Sequence, residues 1–331
     1  MHRHLPGLIF LAAAGSAAGA AIDTTDLPFA RPQQLVDIGG RRLNLYCSGS
    51  GPVTVVFDAP GLDAGWSWHR VQPEVAKRTR ACVYDRAGLG FSDPSPLPAG
   101  SAGAVADLHA LLARAGIAPP YVLVGSSYGG ANVQLYAYRH PGQVKGLVLV
   151  DTSHDDEEER LDKASQGKLK QAGAAQDRMM RQCGEAAQQG FSRDGELFGA
   201  CTGGLGEEYG RKLAAVRLGV MSTGAYWRAA LAEGESFEAS SAELKAARRS
   251  FGALPLMVLA RSVSPYAVPG RPQSPLNKAT EDEHLAMQKE IATLSTRATL
   301  RVVPKAGHII QHDQPQEVVA GIFAVLDQAA Y

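Results

Sequence analysis

The sequence predicts an α/β protein: a mostly parallel, doubly wound sheet with helices on both faces, interrupted by a helical insertion. Three observations predict it. Between residues 53 and 150, short apolar runs alternate with stretches of helical periodicity, the order that builds βαβ units. The runs are mostly apolar at successive positions, as strands covered on both faces are. After Asp151 the pattern gives way to a segment rich in Ala, Gln, Lys and Glu, and then two more strand-like runs return.

Each element has its own signal. Gln34–Ile38 and Arg42–Cys47 read as two strands around a Gly39-Gly40 turn. Val53–Phe57 and Ala81–Tyr84 read as buried strands. Val105–Ala115 has helical spacing and stops at Gly116. Tyr121–Val124 is a strand, Gly130–Tyr138 a helix and Val144–Val150 the next strand. Residues 153–250 read as helices and loops. Leu254–Ala260 and Ala298–Val303 return as strands around a helix at Glu283–Leu294. Pro315–Ala329 is a last helix with proline at its start. The expected organisation is a leader at 1–20, a core at 21–152, a helical insertion at 153–250 and the rest of the core at 251–331.

The 331 residues are enough to bury a large core. A net formal charge of zero gives no electrostatic reason to expect nucleic acid. After the N-terminus, no stretch is long and apolar enough to span a bilayer. The N-terminus itself is a short basic start, Met1-His2-Arg3-His4, followed by apolar and small residues from Leu5 to Ala20. It ends in Ala18-Gly19-Ala20, which fits a secretory leader cut after Ala20 and implies a periplasmic or secreted protein. An uncleaved membrane anchor is the alternative. Four cysteines and no Cys-x-x-Cys pair argue against a zinc site. Export permits disulfides, and Cys183 and Cys201, close in one segment, are expected to pair.

The stretch Gly125-Ser126-Ser127-Tyr128-Gly129 lies between a strand and a helix. Strand, Gly-x-Ser-x-Gly, helix is the pattern of a nucleophile elbow, a turn so tight that it exposes the serine hydroxyl above the sheet. Only Ser127 has glycine two positions to either side. A serine hydroxyl needs a base. His308, in Lys305-Ala306-Gly307-His308-Ile309-Ile310, follows the last strand, at the strand end where ligands gather in open α/β sheets. A structural loop histidine is the competing reading.

Three ordered markers now stand together: Tyr84-Asp85-Arg86-Ala87-Gly88-Leu89-Gly90-Phe91-Ser92, the elbow at Ser127, and Gly307-His308 followed by Pro315. With them the chain resembles proteins of the α/β-hydrolase fold, a group that includes esterases, lipases, epoxide hydrolases, haloalkane dehalogenases and prolyl aminopeptidases. The resemblance runs from about Leu35 to the C-terminus. It implies a helical cap over the sheet, no cofactor and no metal; Gly88-Leu89-Gly90 lacks the third glycine and helix of a dinucleotide loop. It puts the second and fourth strands side by side, which makes a Cys47–Cys82 disulfide conceivable.

The resemblance also implies a catalytic acid, usually after the strand that ends at Ala260. Here Arg261-Ser262-Val263-Ser264-Pro265-Tyr266 follows, with no carboxylate. Some relatives take the acid from the preceding strand end, which is Asp151 here; a helix-capping or strand-end aspartate is the competing reading. Asp282 and Glu283 are remote alternatives. The oxyanion donors are expected to be the backbone N–H groups of Tyr128 and, where the family often has His-Gly, of Leu62 in Ala59-Pro60-Gly61-Leu62. Trp66, Trp68, His69, Tyr226 and Trp227 are candidate pocket residues, with core packing an equal account. The run Asp155–Arg160 reads as the solvated first turn of a cap helix, without metal-ligand geometry.

The expected function is therefore an exported serine hydrolase acting on a small-molecule carboxylic ester or related acyl bond. Serine at the elbow argues against epoxide hydrolysis and dehalogenation, which need aspartate there. Two alternatives stay open. A prolyl-aminopeptidase-like enzyme would need a cap carboxylate for the substrate amine. A non-catalytic, ligand-binding member of the fold would have no turnover to lose.

Overall fold

An eight-stranded sheet organises the chain. Its strands are β1 (Gln34–Asp37), β2 (Arg42–Ser48), β3 (Thr54–Asp58), β4 (Arg80–Tyr84), β5 (Tyr121–Ser126), β6 (Val144–Val150), β7 (Leu256–Arg261) and β8 (Ala298–Val303). The spatial order is β1-β2-β4-β3-β5-β6-β7-β8. β1 and β2 pair antiparallel, as do β2 and β4; the other neighbours are parallel. The computed structural model describes residues 27–329 apart from 97, 193–194, 203–208 and 269. The leader at 1–20 lies outside the described residues.

The apolar runs are explained by the two faces of the sheet. Phe57, Val122, Val124, Val148, Val150 and Leu259 point into one layer. That layer is covered by α1 (Gln72–Ala76) and α12 (Pro315–Ala329). Val56, Leu123, Leu147, Leu149 and Val258 point into the other. There α2 (Ser101–Arg114), α3 (Tyr128–Arg139) and α10 (Pro275–Ala292) close the layer. Each of these strand residues is essentially inaccessible, and each contributes about 1.5–3 kcal/mol by leaving water. The β1–β2 hairpin turns at Gly39 and Gly40, both at positive φ, and the Asp37 carboxylate accepts from both their N–H groups.

Several element boundaries differ from expectation, α2 for one beginning at Ser101, and two of the differences have a clear local cause. β7 begins at Leu256, not Leu254, because Pro255 has no N–H for the ladder; its carbonyl accepts from Leu147 instead. The helix expected at Glu283 begins at Pro275, capped by the Ser274 hydroxyl on Asn277 N–H.

Between β6 and β7 the chain forms α4 (Glu157–Ala164), α5 (Lys168–Gln189), α6 (Glu196–Thr202), α7 (Arg211–Met221), α8 (Gly224–Glu235) and α9 (Phe237–Ala247). Met180, Tyr226, Trp227 and Ala230 make a separate apolar cluster with Leu89 and both cap cysteines. α9 leaves this cluster and packs on α2 and α3. A short α11 (Ile310–Asp313) precedes α12.

Both cysteine pairs are bonded. Cys47 and Cys82 are direct cross-strand partners in the β2–β4 ladder. Cys183 and Cys201 join α5 to α6, 18 residues apart. Closing a loop of that length restricts the unfolded chain by about 3 kcal/mol. Changing both Cys183 and Cys201 to alanine should lower the unfolding free energy by about that amount, read as a lower urea midpoint.

Candidate active site

Ser127 joins β5 to α3 with φ 51° and ψ −120°. A non-glycine residue held in such a sparsely populated region carries about 1–3 kcal/mol of strain. The surroundings enforce it. Ser127 N–H donates to the Val150 carbonyl, and its own carbonyl accepts from Gly130 and Ser153 N–H. A Cβ on Gly125 would strike the Gly129 backbone, and one on Gly129 would strike the Asp58 and Ala59 carbonyls. The two glycines of the motif are therefore steric requirements of this turn.

The hydroxyl meets the histidine loop after β8. His308 Nε2 lies 3.0 Å from Ser127 Oγ, and His308 Nδ1 lies 2.7 Å from Asp151 Oδ2. Asp151 follows β6 at φ 42° and is fully buried. The structure thus brings Ser127, His308 and Asp151 into one hydrogen-bonded chain. It leaves the other acid candidates on the surface, where Asp282 pairs with Lys278 and Glu283 with Arg160.

The setting of Asp151 was not foreseen from the sequence. Its Oδ1 accepts from Arg261 N–H at 2.9 Å and sits 2.9 Å from His284 Nε2. Its Oδ2 accepts from Arg261 Nη1 at 2.8 Å as well as facing His308. Burial alone would push this carboxyl up. Hydrogen bonds from His284 and His308 and the Arg261 charge outweigh burial and hold it well below the usual carboxylate range. The only sequence signal was negative, namely a missing acid after Ala260.

The oxyanion side brings one correction. As the first residue of α3, Tyr128 has an N–H without an intrahelical acceptor. Leu62 N–H, expected to be open, donates to Glu233 Oε2 at 2.8 Å. Glu233 is a buried residue of α8 in the cap. Its partner is Arg86 of the Tyr84–Ser92 motif, whose five donors are all engaged. Arg86 Nε and Nη2 reach Glu233 at 2.5 and 3.1 Å. Its Nη1 reaches Asp58 Oδ1 at 2.6 Å and the Ala59 carbonyl at 2.7 Å, and Nη2 reaches the Pro60 carbonyl at 2.7 Å. The arginine therefore fixes the shape of the loop that carries Leu62. Asp58 also accepts from Tyr84 OH and Asn132. Burial pushes the Asp58 carboxyl up, and the Arg86 charge offsets this only in part.

The pocket candidates divide. Trp68 packs on Phe57 in the core, and Trp66 meets Phe91 edge-on and bonds Asp63. Both are packing residues, because the 3-10 turn Gly65–Trp68 faces inward. His69 is likewise buried, with Nδ1 on the Trp66 carbonyl. Trp227 is cap core, its indole N–H on the Met221 carbonyl. Tyr226 alone reaches the site, donating to the Leu62 carbonyl at 2.9 Å.

His154, Asp155 and Asp156 place three ligand-type atoms within 4.8 Å of one another. Arg248 and Lys245 already supply the cations there: Arg248 contacts His154 and Asp155, and Lys245 contacts Asp156. Asp155 is buried in this contact, so the acidic run is only partly the solvated turn that its composition suggests.

Known proteins agree with this architecture. A segment of 82 residues is 45% identical to an uncharacterized protein of Schizosaccharomyces pombe, covering 24% of this chain and 15% of that one. A 2-hydroxy-6-oxo-2,4-heptadienoate hydrolase of Pseudomonas putida is 35% identical over 120 residues, 35% of this chain and 43% of its own. A 2-hydroxymuconate semialdehyde hydrolase of a Pseudomonas species is 34% identical over 131 residues, 37% and 46% of the two chains. The chain spans less than half the length of each of these curated relatives. Among solved structures, a thermophilic esterase from Thermogutta terrifontis superposes with a TM-score of 0.59 at 20% identity, over 90% of this chain and 99% of that one. The epoxide hydrolase CorEH superposes at 0.61 with 15% identity, over 89% and 97%. At such identities the likeness is one of fold. The profile of the alpha/beta hydrolase family matches residues 47–321, most of the sequence, and the chain belongs to that family.

Proposed function

We propose that the protein is an exported serine hydrolase that cleaves a carboxylic ester, or a related acyl bond, through an acyl-enzyme on Ser127. One observation carries the reading: a strained serine whose Oγ lies 3.0 Å from His308 Nε2, with His308 Nδ1 on a buried aspartate. His308 takes the Ser127 proton as Oγ attacks the carbonyl carbon. The oxyanion accepts from Tyr128 N–H. His308 returns its proton to the leaving alcohol. Water then attacks the acyl carbon with His308 again as base, releasing the acid and restoring Ser127. Asp151 holds the Nδ1–H tautomer and stabilises the imidazolium. No step calls on a cofactor.

The aminopeptidase alternative asked for a carboxylate in the cap, and Glu233 is one. Both its oxygens accept from Arg86 and one also from Leu62 N–H, so its charge is already taken. That favours the ester. Export is supported by two disulfides and the Leu5–Ala20 leader pattern.

A fluorophosphonate probe tests the chemistry, because it needs an activated serine and little substrate knowledge. Mass spectrometry of the protein purified from its native compartment should find the label on Ser127, lost in His308→Ala, and a chain beginning at Ala21. A folded protein that takes no label would overturn the catalytic reading in favour of a ligand-binding member of the fold.

A further inference from the structure

The end of β7, where resemblance places the triad acid, carries a buried arginine instead. Arg261 touches both oxygens of Asp151, through its own N–H and through Nη1. Its other edge meets Glu281 of α10, with Nε to Oε2 at 2.9 Å and Nη2 to Oε1 at 3.1 Å. His284, one turn along α10, completes the set on Asp151 Oδ1. We propose that Arg261 and Glu281 are positioning residues that together set the pH at which His308 becomes a competent base, a role that rests on the serine-hydrolase reading above.

Asp151 and Glu281 carry one negative charge each and Arg261 one positive, so these three side chains beside His308 sum to −1, and each substitution changes that sum by one charge. An imidazolium on Nδ1 is stabilised by that −1. Without Arg261 the group is −2, and His308 holds its proton to higher pH. Without the Glu281 charge the group is neutral, and His308 loses its proton at lower pH. The remaining charged and titratable neighbours do not reverse this. Asp313 of α11 accepts from Gly307 N–H and is exposed. Tyr266, on the loop after β7, lies within electrostatic range of Arg261 and Glu281 and is half-exposed. His284 faces the carboxylate through Nε2, and its buried Nδ1 has no partner among the described residues.

The test is the pH dependence of fluorophosphonate labelling of Ser127 in the full chain, in wild type, Arg261→Met and Glu281→Gln. Arg261→Met keeps the backbone N–H on Asp151 and should move the acidic limb up by about one pH unit. Glu281→Gln should move it down by about half a unit, from a site at the rim of the network where the change in shape is small. A purely structural role would slow labelling without moving the limbs apart. Limbs that coincide with wild type, or that move in the same direction, overturn the proposal while leaving the serine-hydrolase reading intact. If Arg261→Met fails to fold, the Glu281→Gln shift alone decides. Wild-type protein unlabelled at every pH would overturn both.

Discussion

Replacing Asp151 with asparagine should lower kcat/KM toward a small chromogenic ester by about 10⁴-fold, the scale seen when a triad acid becomes an amide. The geometry gives the reason. Each Asp151 oxygen faces two donors: Oδ2 takes His308 and the Arg261 guanidinium, and Oδ1 takes Arg261 N–H and His284. An amide must turn its NH2 toward one of these pairs. Turned toward His308, it forces the imidazole into the tautomer that cannot accept the Ser127 proton. Turned the other way, it leaves His308 on a neutral oxygen beside an arginine cation, which opposes the imidazolium. Steady-state kinetics alongside a melting curve would separate lost catalysis from lost folding. A fall of less than tenfold in a folded variant would remove Asp151 from the mechanism.

Arg86→Met should be the most damaging substitution outside the triad. It leaves the buried carboxylates Asp58 and Glu233 without their shared cation, and breaking a buried pair from one side costs about 3–5 kcal/mol. It also removes both carbonyl anchors of the loop before Leu62, so labelling of Ser127 should slow in whatever fraction still folds. Arg86→Met combined with Glu233→Leu should be more stable than Arg86→Met alone. Only Asp58 then remains, and it keeps its bonds from Tyr84 OH and Asn132. Chemical denaturation of wild type, Arg86→Met, Glu233→Leu and the double variant measures this coupling. Additive losses would mean that the cap carboxylate and the motif arginine do not act as one unit.

Both experiments probe contacts that were hard to read from the chain, for a physical reason. The strands were legible because burial on both faces leaves uninterrupted Val and Leu runs such as 147–150 and 122–124. Ser127 and His308 were legible because each sits in a local turn with its own glycine chemistry. The start of α10 was missed because Ser274-Pro275 is a cap signal without apolar periodicity beside it. Arg261, Glu233 and His284 were missed for a deeper reason. Their partners lie 110, 171 and 133 residues away, and a charged residue carries no mark of which distant group it neutralises. Leu62 shows the same limit in reverse: its position in the turn was predictable, but its hydrogen-bond partner was not.

The path of α9 has a consequence for how much of the cap is dispensable. β6 and β7 are parallel neighbours, so the chain leaving Val150 at one end of the sheet must travel to the opposite end before Leu256 can begin. A parallel neighbour can be reached only by such a crossover, normally a helix lying on the sheet's face. α9, packed on α2 and α3, is that crossover. The insertion is thus more than a canopy laid over the sheet: α9 is a return segment that belongs to the scaffold, α4 packs on α10, and α8 carries the Glu233 that holds Arg86. A deletion running through to 250 would leave eight strands that cannot be threaded in this order.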